Sequence, residues 1–113
     1  MASVFSKIMS GEIKGKIIYQ DEQCAVIVDI QPVAPTHLLV VPRKEIASIA
    51  DAEVGDQELL GHLLLTAAKV AKDLGIDSSG YRLVANIGAD GGQSVDHLHI
   101  HLLGGRQLSW PPG

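Results

Sequence analysis

The segment His97-Leu98-His99-Ile100-His101-Leu102 constrains this chain more than any other. Side chains of an extended strand alternate between its faces, so the three imidazoles project together while Leu98, Ile100 and Leu102 turn toward a core. A strand over residues 97–103 is predicted. Burying three imidazoles for structure alone leaves both nitrogens of every ring in need of partners. Imidazole titrates near pH ~6.5, so such a row offers a neutral nucleophile, a proton donor and a proton shuttle at close range. Zinc is the competing reading, because alternating strand histidines can share a metal when another ligand comes from elsewhere. No nearby Cys, Glu or Asp pair completes such a set, and Asp96 is expected to point away from His97 and His99. The metal-free reading is therefore preferred.

The residues before the histidines bear on the same chemistry. In Gly88-Ala89-Asp90-Gly91-Gly92-Gln93-Ser94, the glycines permit close backbone approach. Amide N–H groups and the Ser94 hydroxyl can then converge on an anion. Loop and histidines together suggest a phosphate-handling site. The whole chain, with nine Lys and Arg against thirteen Asp and Glu, has a net charge of −4. That balance provides no diffuse positive field for nucleic acid or an anionic membrane, so a phosphate must be held locally.

The rest of the 113 residues reads as one α+β domain spanning 1–113, built on an antiparallel sheet. Val4, Phe5, Ile8 and Met9 predict a short amphipathic helix capped by Ser3 and stopped by Gly11. Residues 16–20 and 24–29 predict a hairpin across Asp21-Glu22-Gln23. The proline-bearing stretch 31–35 is a loop, residues 37–41 a buried strand closed by Pro42, and 43–50 a poorly patterned link. Leu59, Leu60, Leu63, Leu64, Ala67, Ala68, Ala71 and Leu74 predict a long helix capped by Asp56 and closed by Gly75. His62 falls on its polar face, and a last strand is expected over 81–86. Cys24 is the sole cysteine, which suits a reducing compartment. The first residues lack a signal-peptide pattern and the longest apolar run, Cys24 to Val28, is far too short to span a bilayer, so a cytoplasmic location is expected.

The run from Gly91 through Arg106 resembles the signature of the histidine triad (HIT) family. Asp29-Ile30, Pro35-Thr36-His37, Asn86 and the ending Gln107-Leu108-Ser109-Trp110-Pro111-Pro112-Gly113 are similar to its Hint branch. The resemblance implies a five-stranded antiparallel sheet with two helices per protomer, joined into a ten-stranded sheet across a homodimer. Residues 104–113 would form a tail near the active site and dimer interface. It further implies a purine nucleotide pocket and hydrolysis of nucleoside 5′-phosphoramidates, AMP joined to an amine or lysine, through a nucleotidyl-histidine intermediate and without a cofactor.

Carried onto this sequence, the nucleophile is His99, its second ring nitrogen held by the carbonyl of His97. His101, Ser94, Gly92, Gln93 and Asn86 would surround the phosphate and leaving group, with His37 supporting the histidines. Asp29 would hold the ribose beside Ile30, and Phe5, Ile8 and Ile27 would line the base pocket. On pattern alone Asp29 equally suits a turn cap, and the three apolar residues equally suit a core. Asp96 stands where relatives more often carry an aromatic or apolar residue. Its charge is expected to act on leaving-group preference or on a neighbouring histidine. Trp110 reads as a dimer or core anchor. A nucleotide-binding homodimeric scaffold or sensor with incidental hydrolysis is the alternative function, and the Hint-like ending disfavours a dinucleoside polyphosphate hydrolase.

Overall fold

A computed structural model describes residues 2–113. The elements are α1 (Val4–Met9), β1 (Ile17–Gln20), β2 (Cys24–Val28), β3 (Thr36–Pro42), α2 (Gln57–Asp73), β4 (Tyr81–Val84) and β5 (Ile100–Gly104). Two short 3-10 turns, Ile49–Asp51 and Val54–Asp56, lie between β3 and α2. The strands form one sheet in the order β1-β2-β3-β5-β4, and each neighbouring pair is antiparallel. Among the described residues no helix is long and apolar enough to cross a membrane.

The central strands are covered on both faces, so they appear in the sequence as unbroken apolar runs rather than alternating ones. One face, with Cys24, Val26, Leu38, Val40, Ile100 and Leu102, packs against Leu63, Ala67, Val70 and Ala71 of α2. On the other, Ala25, Ile27, Leu39 and Val41 cluster with Phe5, and Ile8 and Met9 pack against them. Leu98, Ile100 and Leu102 all join the α2 face, so the expected alternation of the histidine segment holds. α1 starts as expected, with the Ser3 side chain accepting from the Ser6 N–H. Gly75, at φ 76°, closes α2: its N–H reaches the Lys72 carbonyl while the Ile76 N–H reaches that of Ala71.

Several local expectations need correction. The strand predicted over 97–103 is a strand only over Ile100–Gly104. The β3 ladder with β5 ends at Val40 opposite Ile100. Pro42, further along β3, has no N–H to continue a ladder. The link supplies a substitute partner, and the Leu98 N–H bonds the Ile46 carbonyl at 2.6 Å. The strand expected over 81–86 stops at Val84.

Along α2 the buried arc is Leu63, Thr66, Ala67, Val70 and Ala71, whereas Leu64 and Leu74 of the expected stripe are half exposed. Asp56 does not cap α2 with its side chain. A 3-10 turn leads directly into that helix, and the buried Asp56 carboxylate turns back to accept from the Glu53 N–H at 3.0 Å and from Lys44 Nζ at 2.6 Å.

Leu102 is fully buried between sheet and α2, whereas Val54 is exposed. Leu102→Ala is expected to cost about 2–5 kcal/mol in urea denaturation at fixed protein concentration. Val54→Ala should stay within about 0.5 kcal/mol. Equal effects at both positions would contradict this account of the core.

Candidate active site

The site lies on the α1 face of the sheet, around a cavity of about 360 Å³. Phe5, Ile8, Ile27, Leu39 and Val95 form its apolar wall, and Asp29, Ser94, His99 and His101 supply its polar groups. Ile30, 91% exposed, stands at the rim. A largely apolar cleft with a few convergent polar groups is the general form of a small-molecule site.

His99 Nδ1–H donates to the backbone carbonyl of His97 at 2.7 Å. Protonation of Nδ1 leaves the lone pair on Nε2, the tautomer required for attack through that atom. Phe5 packs edge-on against the His99 ring at 5.0 Å between centroids. His97 is fully buried and does not line the cavity. Its Nε2–H donates to the Pro42 carbonyl at 2.7 Å, so its Nδ1 accepts from the Ser3 hydroxyl. Burial pulls the His97 pKa below the ordinary histidine value, opposed by the Pro42 carbonyl and Glu45.

A second chain of bonds fixes His101. The Val33 N–H donates to His37 Nδ1 at 3.1 Å, which places the His37 proton on Nε2. That nitrogen is 2.9 Å from His101 Nδ1 and 3.3 Å from Asp29 Oδ2. With its Nδ1 accepting from His37, neutral His101 carries its proton on Nε2. Burial first, then the neighbouring His99 and His37, push its pKa down to about 4, with Asp29 acting the other way. His37 itself is buried at the start of β3 and lies outside the cavity wall. Asp29 has a double attachment, since its Oδ1 also accepts from the Gln31 N–H at 2.8 Å. The turn-capping reading of this carboxylate therefore holds, and it still faces the cavity.

The HIT domain matches residues 10–108 of this chain. The chain belongs to the HIT domain family. It is 50% identical over 111 residues to an uncharacterized HIT-like protein of Synechococcus elongatus, covering 98% of this chain and 96% of that protein. The crystal structure of a HIT family hydrolase from Legionella pneumophila matches with a TM-score of 0.96 at 48% identity, over 99% of this chain and 100% of that one. A histidine triad nucleotide-binding protein from Candida albicans matches with a TM-score of 0.83 at 29% identity, over 97% of this chain and 83% of that one.

Within this HIT domain, Asn86, Gly92 and Gln93 do not line the cavity. The Gln93 amide is engaged inside the protein: Nε2 donates to the carbonyls of Ala47 at 2.6 Å and Val95 at 3.0 Å, and Oε1 accepts from the Gly88 N–H at 3.0 Å. Asp96 is exposed, and its carboxylate pairs with none of the described residues. His62 lies on the opposite face of the sheet, where its Nε2 meets Asp21 Oδ2 at 2.7 Å. Burial raises the Asp21 pKa, but the N–H groups of Gln23 and Cys24, with His62 and Tyr19, outweigh it and hold the carboxyl below its ordinary range. Among the described residues two groups of metal-capable side chains converge, Asp29-His37-His101 and Asp21-Cys24-His62, and hydrogen bonds or ion pairs join the members of each.

Sequence reading missed the Val33 amide, the Pro42 carbonyl and Glu45. The first two are backbone groups: any residue but proline would present the N–H, and any residue the carbonyl. Glu45 lies in a link without periodicity, and nothing local distinguishes it from a solvated glutamate.

His101 and His97 stay neutral in the folded protein, whereas an unfolded histidine takes up a proton near pH ~6.5. The unfolded state therefore gains protons first, and stability is expected to fall as pH drops from about 6.5 toward about 4. Thermal melts across this range should show the decline, and His101→Asn should make it shallower. An unchanged slope in that variant would contradict the neutral assignment.

Proposed function

We propose that this HIT protein is a homodimeric hydrolase of purine nucleoside 5′-phosphoramidates that releases the nucleoside monophosphate. The observation that carries the reading is the bond from His99 Nδ1–H to the His97 carbonyl, which readies Nε2 beside an apolar cavity that also holds a carboxylate. Resemblance to a HIT family hydrolase and to a histidine triad nucleotide-binding protein supports it.

In this reading the base lies against Phe5, Ile8 and Ile27, and Asp29 accepts from the ribose hydroxyls. His99 Nε2 attacks the α-phosphorus; the P–N bond breaks and its electron pair leaves with the amine, which takes up a proton. The His101 Nε2–H and the Ser94 hydroxyl are the donors at the cavity that stabilise phosphate charge or relay that proton. Water then attacks the nucleotidyl-imidazole, returning neutral His99 and releasing the monophosphate. Gly92 of the glycine loop and Asn86 just before it lie outside the cavity wall and would meet the phosphate and leaving group beyond it. Gln93 acts through the loop, whose shape its side chain braces. Dimerisation brings the tail to the partner's site, a role that suits Trp110, which is 80% exposed in the protomer.

Steady-state kinetics on an adenosine 5′-phosphoramidate test the proposal. Wild type should turn it over in preference to diadenosine polyphosphate. His99→Ala should lose on the order of 10⁴-fold in kcat, while AMP affinity by calorimetry stays within about threefold. AMP binding without turnover by wild type would instead favour the scaffold or sensor reading.

The tail contributes few anchors: Arg82 Nη2 bonds the Ser109 carbonyl at 2.9 Å, and Trp110 through Gly113 are exposed. Deleting residues 107–113 is expected to change kcat/KM ratios between leaving groups more than it changes the Tm. A truncated chain that fails to fold would overturn this.

A further inference from the structure

The link after β3 attracts no notice as sequence, yet three successive residues in it hold three different parts of the site. The Glu45 carboxylate takes the start of α1: its Oε1 accepts from the Ser3 N–H at 2.6 Å and from the Ser6 hydroxyl at 2.7 Å. The Ile46 carbonyl takes the histidine segment through the Leu98 N–H at 2.6 Å. The Ala47 carbonyl takes the glycine loop through Gln93 Nε2 at 2.6 Å. Only the first of these is a side chain that substitution can remove.

We propose that Glu45 is a positioning residue that couples the base-pocket wall to the tautomer of the histidine segment. The coupling passes through Ser3. Its hydroxyl oxygen accepts from the Ser6 N–H at 3.0 Å, and its single proton goes to His97 Nδ1. Because His97 Nε2–H is committed to Pro42, Nδ1 has only its lone pair to offer, and Ser3 must be the donor. The ring thus fixed belongs to the residue whose carbonyl holds His99. Glu45 Oε1 stands 3.8 Å from His97 Nδ1, beyond hydrogen-bond reach, so it acts on that ring through Ser3. The same grip seats Phe5, which touches His97 and His99 edge-on, and Ile8 beside it in the cavity wall. Glu45 lines no part of the cavity and touches no reacting atom.

A helix cap with no further role would affect the Tm alone. The coupling instead separates KM from kcat. Ser3→Ala keeps the bonds of its own N–H and of the Ser6 hydroxyl to Glu45, but removes the cap on the Ser6 N–H and deprives His97 Nδ1 of its donor. It should lower kcat about tenfold and leave KM within about twofold. Glu45→Ala releases both the wall and Ser3, and should raise KM and lower kcat, each by about tenfold. Glu45→Gln retains an oxygen able to accept both bonds and should recover most of the loss.

These kinetic arms rest on the nucleophilic role proposed for His99; ¹⁵N NMR of the histidine rings does not. In wild type, His97 should report a proton on Nε2 and a lone pair on Nδ1. Ser3→Ala and Glu45→Ala should show tautomer averaging at His97, and Glu45→Ala should bind AMP more weakly by calorimetry. A folded Glu45→Ala protein with wild-type His97 shifts and wild-type AMP affinity would overturn the coupling. Absence of phosphoramidate turnover in wild type, with the NMR and affinity changes present, would fault the hydrolase reading and leave the coupling standing.

Discussion

The hydrogen bond from His99 Nδ1 to the His97 carbonyl governs what this site can do. An imidazole exposed to water samples both tautomers and protonates near neutrality. Here a backbone acceptor two residues earlier selects one tautomer without using any other side chain. That acceptor is useful only if the peptide carrying it stays still, and much of the surrounding structure serves that end. His97 is held at both ring nitrogens, by the Pro42 carbonyl and the Ser3 hydroxyl, and the next amide is held by Ile46.

The sheet makes this possible because it is buried on two sides for different reasons. The α2 face is a conventional apolar core, and Leu98, Ile100 and Leu102 anchor the histidine segment in it. The other face is only partly filled, by α1 and the residues under it, and the remaining space is the cavity. Residues of alternating type thus place the core anchor and the imidazole rings on opposite sides of a single chain segment. His37 and His101 extend the same logic across the β3–β5 pair. A backbone amide at Val33 sets the proton on His37, and His37 sets it on His101.

Much of this was legible in the sequence because it depends on local period and on residue type. The alternating histidines, the Ser3 cap, the Gly75 stop and the hairpin across Asp21 each follow from rules that operate over a few residues. The errors arise where a distant partner decides. Residues 97–99 lack ladder partners because β3 ends in a proline, which appears only once β3 and β5 are paired. Thr66 is buried because α2 rotates its Leu63-Thr66-Ala67-Val70 arc onto the sheet, leaving Leu64 at the margin. Gln93 shows the same distant reach, since its amide donates to the Ala47 carbonyl of the link, a contact that no local pattern announces. Asp56 looks like a helix cap, but a preceding turn and Lys44 draw its carboxylate away. Family resemblance supplied roles for Asp29 and Phe5 that pattern alone left divided between site and scaffold.

The most direct test of a nucleophilic His99 is mass spectrometry of protein quenched with acid-free denaturant within a single turnover of an adenosine 5′-phosphoramidate. The account predicts an AMP-sized adduct on the peptide containing His99, with fragmentation placing it on that residue. An adduct on His97 or His101 would contradict it. So would release of AMP at quench times shorter than one cycle with none of the protein modified.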